Sequence, residues 1–133
     1  MNAHEIVPGV WIGDFEAGVI WQRQSRATLC VLEGRREDLP SRTMWVPILH
    51  GTPPMALIAQ LWTAAHVIQR HREQGIPLLV HCGAGHERAP LVVAWWLAHF
   101  EKQPMSLADA YAVIERVRKV RRAWDWLPAE VAR

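Results

Sequence analysis

Residues 77–100 contain the feature that most constrains the fold. The apolar run "PLLVHC" (77–82) is followed by a short loop with glycines at 83 and 85, and then by a second apolar run from Arg88 to Phe100. The first run has the length of a buried strand and the second has the length of a helix. A buried strand that enters a helix through a tight glycine loop is typical of α/β proteins with a parallel sheet.

The rest of the chain repeats this alternation of strand and helix. β-prone runs occupy 10–13, 28–33 and 43–48, and helical patterns occupy 14–24, 55–72 and 106–120. Ser106 and Asp109 have the spacing of a capping box. No linker rich in serine, glycine or proline divides the 133 residues. We therefore expect a single α/β domain over 1–133, with a largely parallel central sheet flanked by helices.

Composition and charge argue against several classes of protein. The net charge of +2 gives no general argument for nucleic-acid binding. No run approaches the roughly 18 apolar residues of a membrane span, and "MNAHEIVPG" lacks the order of a signal peptide. Two cysteines and seven dispersed histidines do not form a zinc motif. We expect a cytoplasmic protein with no metal, cofactor, nucleic-acid partner or membrane span, whose oligomeric state the sequence does not indicate.

Two further compositional features suggest where packing occurs. The eight tryptophans predict a well-filled core or an aromatic surface patch. The basic run "ERVRKVRRAW" (115–124) predicts a solvated helix end, anchored by Val117 and Val120 while the arginines stay in water. Attraction of acidic phosphoproteins or phosphoinositides is the alternative interpretation of this run.

The loop between the buried strand and its helix has the chemistry of an anion site. In α/β sheets, sites form at the carboxyl ends of strands, where Cys82 lies. Successive backbone N–H groups and a helix N-terminus suit phosphate, and the same field stabilises a thiolate. Such a thiolate attacks phosphorus in line while the guanidinium of Arg88 holds two phosphate oxygens. The predicted phosphate-binding positions are Gly83, Ala84, Gly85, His86, Glu87 and Arg88.

His81 and Glu87 carry predictions of their own. His81 is expected to orient the loop through hydrogen bonds. Glu87 places a carboxylate beside an anion site, so it either points outward or pairs with a cation such as His86 or His50, or else it weakens phosphate binding from within. The simplest alternative for the whole motif is an inert buried Cys82 followed by a helix-start Arg88.

The segment "VHCGAGHERAP" (80–90) resembles the His-Cys-five residues-Arg signature of cysteine-dependent protein phosphatases, in particular their dual-specificity branch. "IVPGVWIGDFEA" (6–17) is similar to the amino-terminal strand of those enzymes, and "VPILHGTPP" (46–54) is similar to their general-acid loop. Ala89-Pro90 and the "GTPP" turn most resemble the phosphatases of regenerating liver. The resemblance implies hydrolysis of phosphate monoesters, including phosphotyrosine and phosphoserine or phosphothreonine proteins, through a phosphocysteine intermediate.

Two positions depart from the pattern of that family. His50 stands where the family has its acidic aspartate, and no Asp or Glu lies between Asp38 and Glu73. An imidazolium can donate a proton near neutral pH, so His50 is either the general acid or a simple turn residue. Ala89 replaces the Ser or Thr whose hydroxyl helps the thiolate to leave, which implies slow release of phosphate from Cys82.

These departures keep alternatives open. One is a phosphate-binding or phosphoprotein-binding module that retains the loop and turns over negligibly, and another is a sulfurtransferase. Cys30 is a small core residue, or else, as the resemblance implies, the disulfide partner of Cys82. In every phosphatase interpretation the partner is a phosphorylated protein or another phosphate monoester.

Overall fold

The computed structural model describes residues 1–33, 43–100 and 102–132. Its strands are β1 (Ala3–Val7), β2 (Val10–Gly13), β3 (Ala27–Cys30), β4 (Met44–Trp45) and β5 (Leu78–His81). They form one sheet in the order β1-β2-β5-β3-β4. Only the edge pair β1–β2 is antiparallel, and the other three pairs are parallel. The prediction of an α/β protein with a largely parallel sheet is confirmed.

Helices cover both faces of this sheet. They are α1 (Phe15–Arg23), α2 (Pro54–Glu73), α3 (Arg88–Phe100), α4 (Leu107–Glu115) and α5 (Ala129–Ala132), with a 3-10 helix at Trp124–Trp126. Helix α1 packs on one face, against β3 and β5, whereas α3 packs on the other face and contacts both α2 and α4. Within the described residues, no helix combines the length and apolar character that a membrane crossing requires.

The alternation of side chains along β5 divides the residues of the motif between the two faces. Leu78, Val80 and Cys82 belong to the larger core beneath α3, whereas Leu79 packs with Ala17 and Trp21 of α1. Successive side chains of a strand point to opposite faces. Cys82 therefore faces α3, and the preceding histidine faces α1.

Helix α3 is the centre of the larger core. Ten of its thirteen residues are buried, and a helix that is apolar on all sides packs within the protein. Trp96 donates its indole N–H to Gln69 Oε1 of α2 over 3.0 Å, which satisfies a polar group in the interior. All eight tryptophans are buried or half-buried, in keeping with a well-filled core.

The amino-terminal half of the structure differs from the sequence prediction at two strands. The sequence does not predict β1, because its exposed edge residues lack an apolar run. The predicted strand 43–48 is regular only at Met44–Trp45. Beyond Trp45, the N–H groups of Val46 and Ile48 still donate to the carbonyls of Cys30 and Val31, so the chain continues alongside β3.

The carboxyl-terminal half shows the larger correction. The predicted cap is confirmed, since Ser106 Oγ accepts from Asp109 N over 3.0 Å. Helix α4 nevertheless ends at Glu115, not at residue 120. The prediction for this segment is wrong at Val117, which is 45% exposed, and at Arg118, which is only 7% exposed, whereas Val120 packs against the core as predicted. The chain turns after α4 because the Arg118 guanidinium is bonded inside the protein.

Candidate functional site

The loop from Cys82 to Arg88, hereafter the cysteine loop, connects the central strand β5 to helix α3. Cys82 is 2% exposed. All five carbonyls from 83 to 87 accept hydrogen bonds from donors outside that five-residue stretch. With their donors they are Gly83 (Phe15 N, 2.9 Å), Ala84 (Arg118 Nη2, 3.1 Å), Gly85 (Arg118 Nε, 2.9 Å), His86 (Arg121 N, 2.9 Å) and Glu87 (Leu91 N, 3.1 Å).

This pattern fixes the direction of the loop's peptide dipoles. An N–H and the carbonyl of the same peptide unit point in opposite directions. Among the described residues, no backbone N–H from 83 to 87 donates to another backbone carbonyl. The loop thus has its carbonyls engaged by the surrounding protein and its N–H groups left for a ligand, and such an arrangement suits an anion.

Arg118 is a residue of this site that sequence reasoning missed. Its guanidinium bonds the Ala84 and Gly85 carbonyls, and its Nη1 donates to Asn2 Oδ1 (2.8 Å) and lies 3.0 Å from His4 Nδ1. Burial lowers the pKa of Arg118, while the negative charges of Asp14 and Cys82 act in the opposite direction. The only signal in the sequence was the basic run itself, which does not reveal which arginine turns inward.

Arg88 links the cysteine loop to the segment 46–54. Its Nε donates to the carbonyl of Ile48 over 2.8 Å, which orients the guanidinium at the start of α3. His50 lies two residues beyond that carbonyl, in an exposed turn. The structure thereby places the segment that leads into the His50 turn against Arg88.

Trp126 is the second residue that the sequence did not indicate. Its indole stacks on the His50 imidazole, with ring centroids 4.8 Å apart and an interplanar angle of 9°. The Arg88 Cζ lies 5.7 Å from the centroid of the same indole. Trp126 thus contacts both segments of the candidate site, although it lies 38 positions after Arg88 in the sequence.

Glu87 pairs with a cation, but not with the histidines proposed for it. Its Oε2 accepts from Arg121 Nη1 over 3.2 Å, and both side chains are solvent-exposed. Arg121 also donates from Nη2 to both carboxylate oxygens of Asp125, at 2.9 and 2.8 Å. The Glu87 carboxylate is therefore directed to the surface, where solvent and Arg121 reduce its repulsion of a bound anion.

His81 does not make the hydrogen bonds predicted for it. Neither ring nitrogen has a partner among the described residues, and the ring lies against Phe15 and the backbone of Gly18 on the α1 face. The alternation of β5 directs the side chain away from the loop, which explains the difference. Burial lowers the pKa of His81 to about 4, against a smaller opposing effect of Asp14.

This burial predicts a loss of stability in mild acid. Because the folded-state pKa is about 4 and that of an unfolded histidine is near 6.5, falling pH protonates the unfolded chain first. The contribution is complete above about pH 6.5, and at about pH 4.5 it has lost about 2 to 3 kcal/mol of unfolding free energy. Urea unfolding of wild type and His81→Asn at both pH values measures it. Equal pH dependence in the two proteins, with exposed His66→Asn as control, would contradict the assignment.

The second cysteine lies beside the loop. Cys30 ends β3, pairs in register with His81, and is a free, buried thiol, as is Cys82. Burial raises the pKa of Cys30, opposed by a hydrogen bond with the Leu32 backbone and reinforced by the charge of Cys82. The core role of Cys30 agrees with this environment, and its pairing with Cys82 under oxidation stays a prediction.

Comparison with known proteins agrees with this geometry. A protein-family model described as PTP-SAK, a Swiss Army Knife protein DSP-PTPase phosphatase domain, matches residues 37–124, more than half of the chain. The chain belongs to the dual-specificity phosphatase family. No curated protein matches it at a significant level. The resemblance read from the residues around Cys82 is thereby confirmed at the level of the family.

Solved structures of this phosphatase family share the fold. The crystal structure of PTPMT1 superposes with a TM-score of 0.75 at 17% identity, covering 98% of this chain and 90% of that chain. Human DUSP28 gives 0.73 at 20% identity, covering 95% and 90%. The human tyrosine phosphatase-like serine/threonine/tyrosine-interacting protein gives 0.73 at 18% identity, covering 98% and 91%. At these identities the likeness shows the fold alone.

The family match ends before part of the candidate site. Residues 37–124 include His50, the whole cysteine loop and Arg118, whereas Asp125 and Trp126 lie just beyond the matched range. The contacts of Trp126 with His50 and Arg88 are therefore features of this chain's structure, not of the family match.

Proposed function

We propose that this protein is a cysteine-dependent phosphatase that hydrolyses phosphate monoesters through a phosphocysteine intermediate, with 1–133 acting as one domain. The observation that carries the proposal is the geometry of the cysteine loop. Its five consecutive carbonyls accept hydrogen bonds from donors outside the stretch 83–87, and a buried Cys82 follows the central strand. Donors held in advance for an oxyanion are usually the largest single contribution to catalysis of this kind.

Each residue of the loop then has a role. The Cys82 sulfur attacks phosphorus, the S–P bond forms as the ester P–O bond breaks, and the departing oxygen takes a proton from His50. Arg88 holds two phosphate oxygens, and the N–H groups from Gly83 to Arg88 stabilise the equatorial charge. Water then attacks the phosphocysteine, which releases inorganic phosphate and restores the thiolate.

In the proposed enzyme, phosphate is transferred to Cys82 faster than it is released from Cys82. Ala89 is buried at the first turn of α3 and supplies no hydroxyl to the departing thiolate. A histidine in place of the usual aspartate bears instead on the preceding transfer to Cys82, because an acid–base group contributes its about 100-fold to 10,000-fold only when it is well placed. Slow turnover with a stable phosphocysteine follows from Ala89.

The same reasoning predicts a preference for phosphotyrosine. A phenolate leaving group, with a pKa of about 10, needs less proton assistance than an aliphatic alkoxide, so kcat/KM for a phosphotyrosine peptide should exceed that for a matched phosphoserine peptide by about 10-fold or more. Phosphate release from the two peptides, with Cys82→Ser as blank, measures the ratio. Equal values would contradict the preference.

The same assay decides whether the protein is an enzyme. Phosphate release that disappears in Cys82→Ser supports the proposed reaction. Wild type that binds inorganic phosphate but releases none from any ester would contradict it, and would assign the loop to a phosphate-binding module.

A further inference from the structure

The carboxyl-terminal segment 121–126 is hydrogen-bonded to the cysteine loop. The backbone N–H of Arg121 bonds the His86 carbonyl, and its guanidinium joins Glu87 of the loop to Asp125. Asp125 directly precedes Trp126 within the 3-10 helix. The position of Trp126 relative to the loop is thus held by a continuous set of hydrogen bonds.

Within segment 121–126, Trp126 presents the face of its indole to His50. The indole of Trp126 and the His50 imidazole are nearly parallel, at 9° and 4.8 Å. The charge of His50 also contributes to lowering the pKa of Asp125, after the larger effect of the Arg121 hydrogen bond. His50 otherwise occupies an exposed turn followed by Gly51, at φ +91° with open space around it.

An exposed turn residue is poorly placed for proton donation unless something restrains it. General acid catalysis requires the donor within hydrogen-bond reach of the departing oxygen. Misplacement by about 1 Å can reduce a rate by about 100-fold. A stacked aromatic partner that is itself tied to the cysteine loop supplies this restraint, and the same indole lies 5.7 Å from Arg88 Cζ.

We infer that Trp126 is a positioning residue, which stacks on His50 and holds its imidazole toward the leaving group of a phosphate ester bound in the cysteine loop. This inference rests on the proposed phosphatase function and adds a residue to it. Trp126 itself does not touch the reacting atoms. Trp126 lies in segment 121–126, which bonds both Glu87 and His86. The unusual Glu87 therefore helps to hold this segment against the cysteine loop.

The test uses two esters that differ in their need for a proton. Phenyl phosphate and p-nitrophenyl phosphate have similar shape, but nitrophenolate is a much weaker base and leaves with little assistance. The quantity to compare is kcat/KM, because it reports transfer to Cys82 and not the slow release from it. Trp126→Leu should lower kcat/KM for phenyl phosphate by about 10-fold or more and change that for p-nitrophenyl phosphate far less.

Three matched variants separate positioning from packing. Trp126→Phe keeps an aromatic ring and should restore much of the phenyl phosphate rate. Trp124→Leu alters the same 3-10 helix, but Trp124 packs on Tyr111, so the ratio of the two esters should stay at the wild-type value. In a His50→Asn background, Trp126→Leu should have no further selective effect, since the group it positions is absent.

The outcomes distinguish this inference from the proposal beneath it. Cys82-dependent hydrolysis in which Trp126→Leu slows both esters equally, or neither, overturns the positioning role and leaves the phosphatase activity standing. Absence of Cys82-dependent hydrolysis in wild type overturns both. If Trp126→Leu does not fold, Asp125→Asn, which weakens the exposed Arg121–Asp125 ion pair, should produce a smaller loss selective for phenyl phosphate, and no selectivity there would also overturn the inference.

Discussion

Cys82→Ser is expected to lower phosphatase turnover by about 10,000-fold or more, because a hydroxyl in place of the thiolate removes the nucleophile without removing the anion site. The loop carbonyls and Arg88 are bonded to groups other than the Cys82 side chain. The variant should therefore still bind inorganic phosphate or an unreacted ester. Measurement combines nitrophenolate release with phosphate binding by calorimetry.

The chain supplies a matched control for this substitution. Cys30 is equally buried, ends the neighbouring strand and is also a free thiol. Cys30→Ser under reducing conditions introduces the same change of sulfur to oxygen beside the loop, yet should leave turnover close to that of wild type. Comparable losses in the two variants would show that Cys82 acts through packing and would contradict its assignment as nucleophile.

Gly85→Ala is expected to disrupt the cysteine loop more than the same substitution at Gly83, the other glycine of the loop. Gly85 has φ +68°, and a Cβ there would lie 2.6 Å from the Gly13 carbonyl oxygen and 2.5 Å from Arg118 Nη2. The left-handed conformation costs about 1 to 2 kcal/mol for a residue with a Cβ. The contact with backbone adds to this, and we expect a total loss of about 3 kcal/mol or more of unfolding free energy.

Gly75→Ala separates the cost of the left-handed conformation from the cost of the close contacts. Gly75, at the end of α2, has the same φ of +68°, but a Cβ added there would have no other atom within 4 Å. Chemical denaturation should show a loss of about 1 to 2 kcal/mol for Gly75→Ala, and activity should be kept. Because Gly85→Ala displaces the loop, its turnover should fall by about 100-fold. Equal losses of stability in the two variants would mean that the close approach of Gly13 and Arg118 is unimportant.

The central part of the fold was predictable because its signals are local. The buried strand β5 and helix α3 are continuous apolar runs, and the Ser106 cap needs only the spacing of two residues. The cysteine loop follows from its two glycines and its position at a strand end. Edge strand β1 gave no such signal, since one buried residue in five leaves no clear alternation.

The missing parts of the candidate site depend on contacts between distant segments. Arg118 bonds the loop 33 and 34 positions earlier and Asn2 116 positions earlier. Helical periodicity continued through 116–120 in the sequence, but those guanidinium bonds, and the bond from Ala123 N to the Tyr111 hydroxyl, draw the chain back over α4. Trp126 reaches His50 because the chain turns back after α4. Neither charge nor periodicity along one chain reports such tertiary contacts.

The measurement that tests the central claim most directly is rapid mixing of near-equimolar enzyme with p-nitrophenyl phosphate, followed by acid quench and mass spectrometry of the peptide that contains Cys82. The account predicts a burst of nitrophenolate near one equivalent, slow turnover afterwards, and a phosphate group on Cys82 that is absent in Cys82→Ser. Turnover by wild type without phosphate on Cys82 at any time, or equal release by Cys82→Ser, would contradict it.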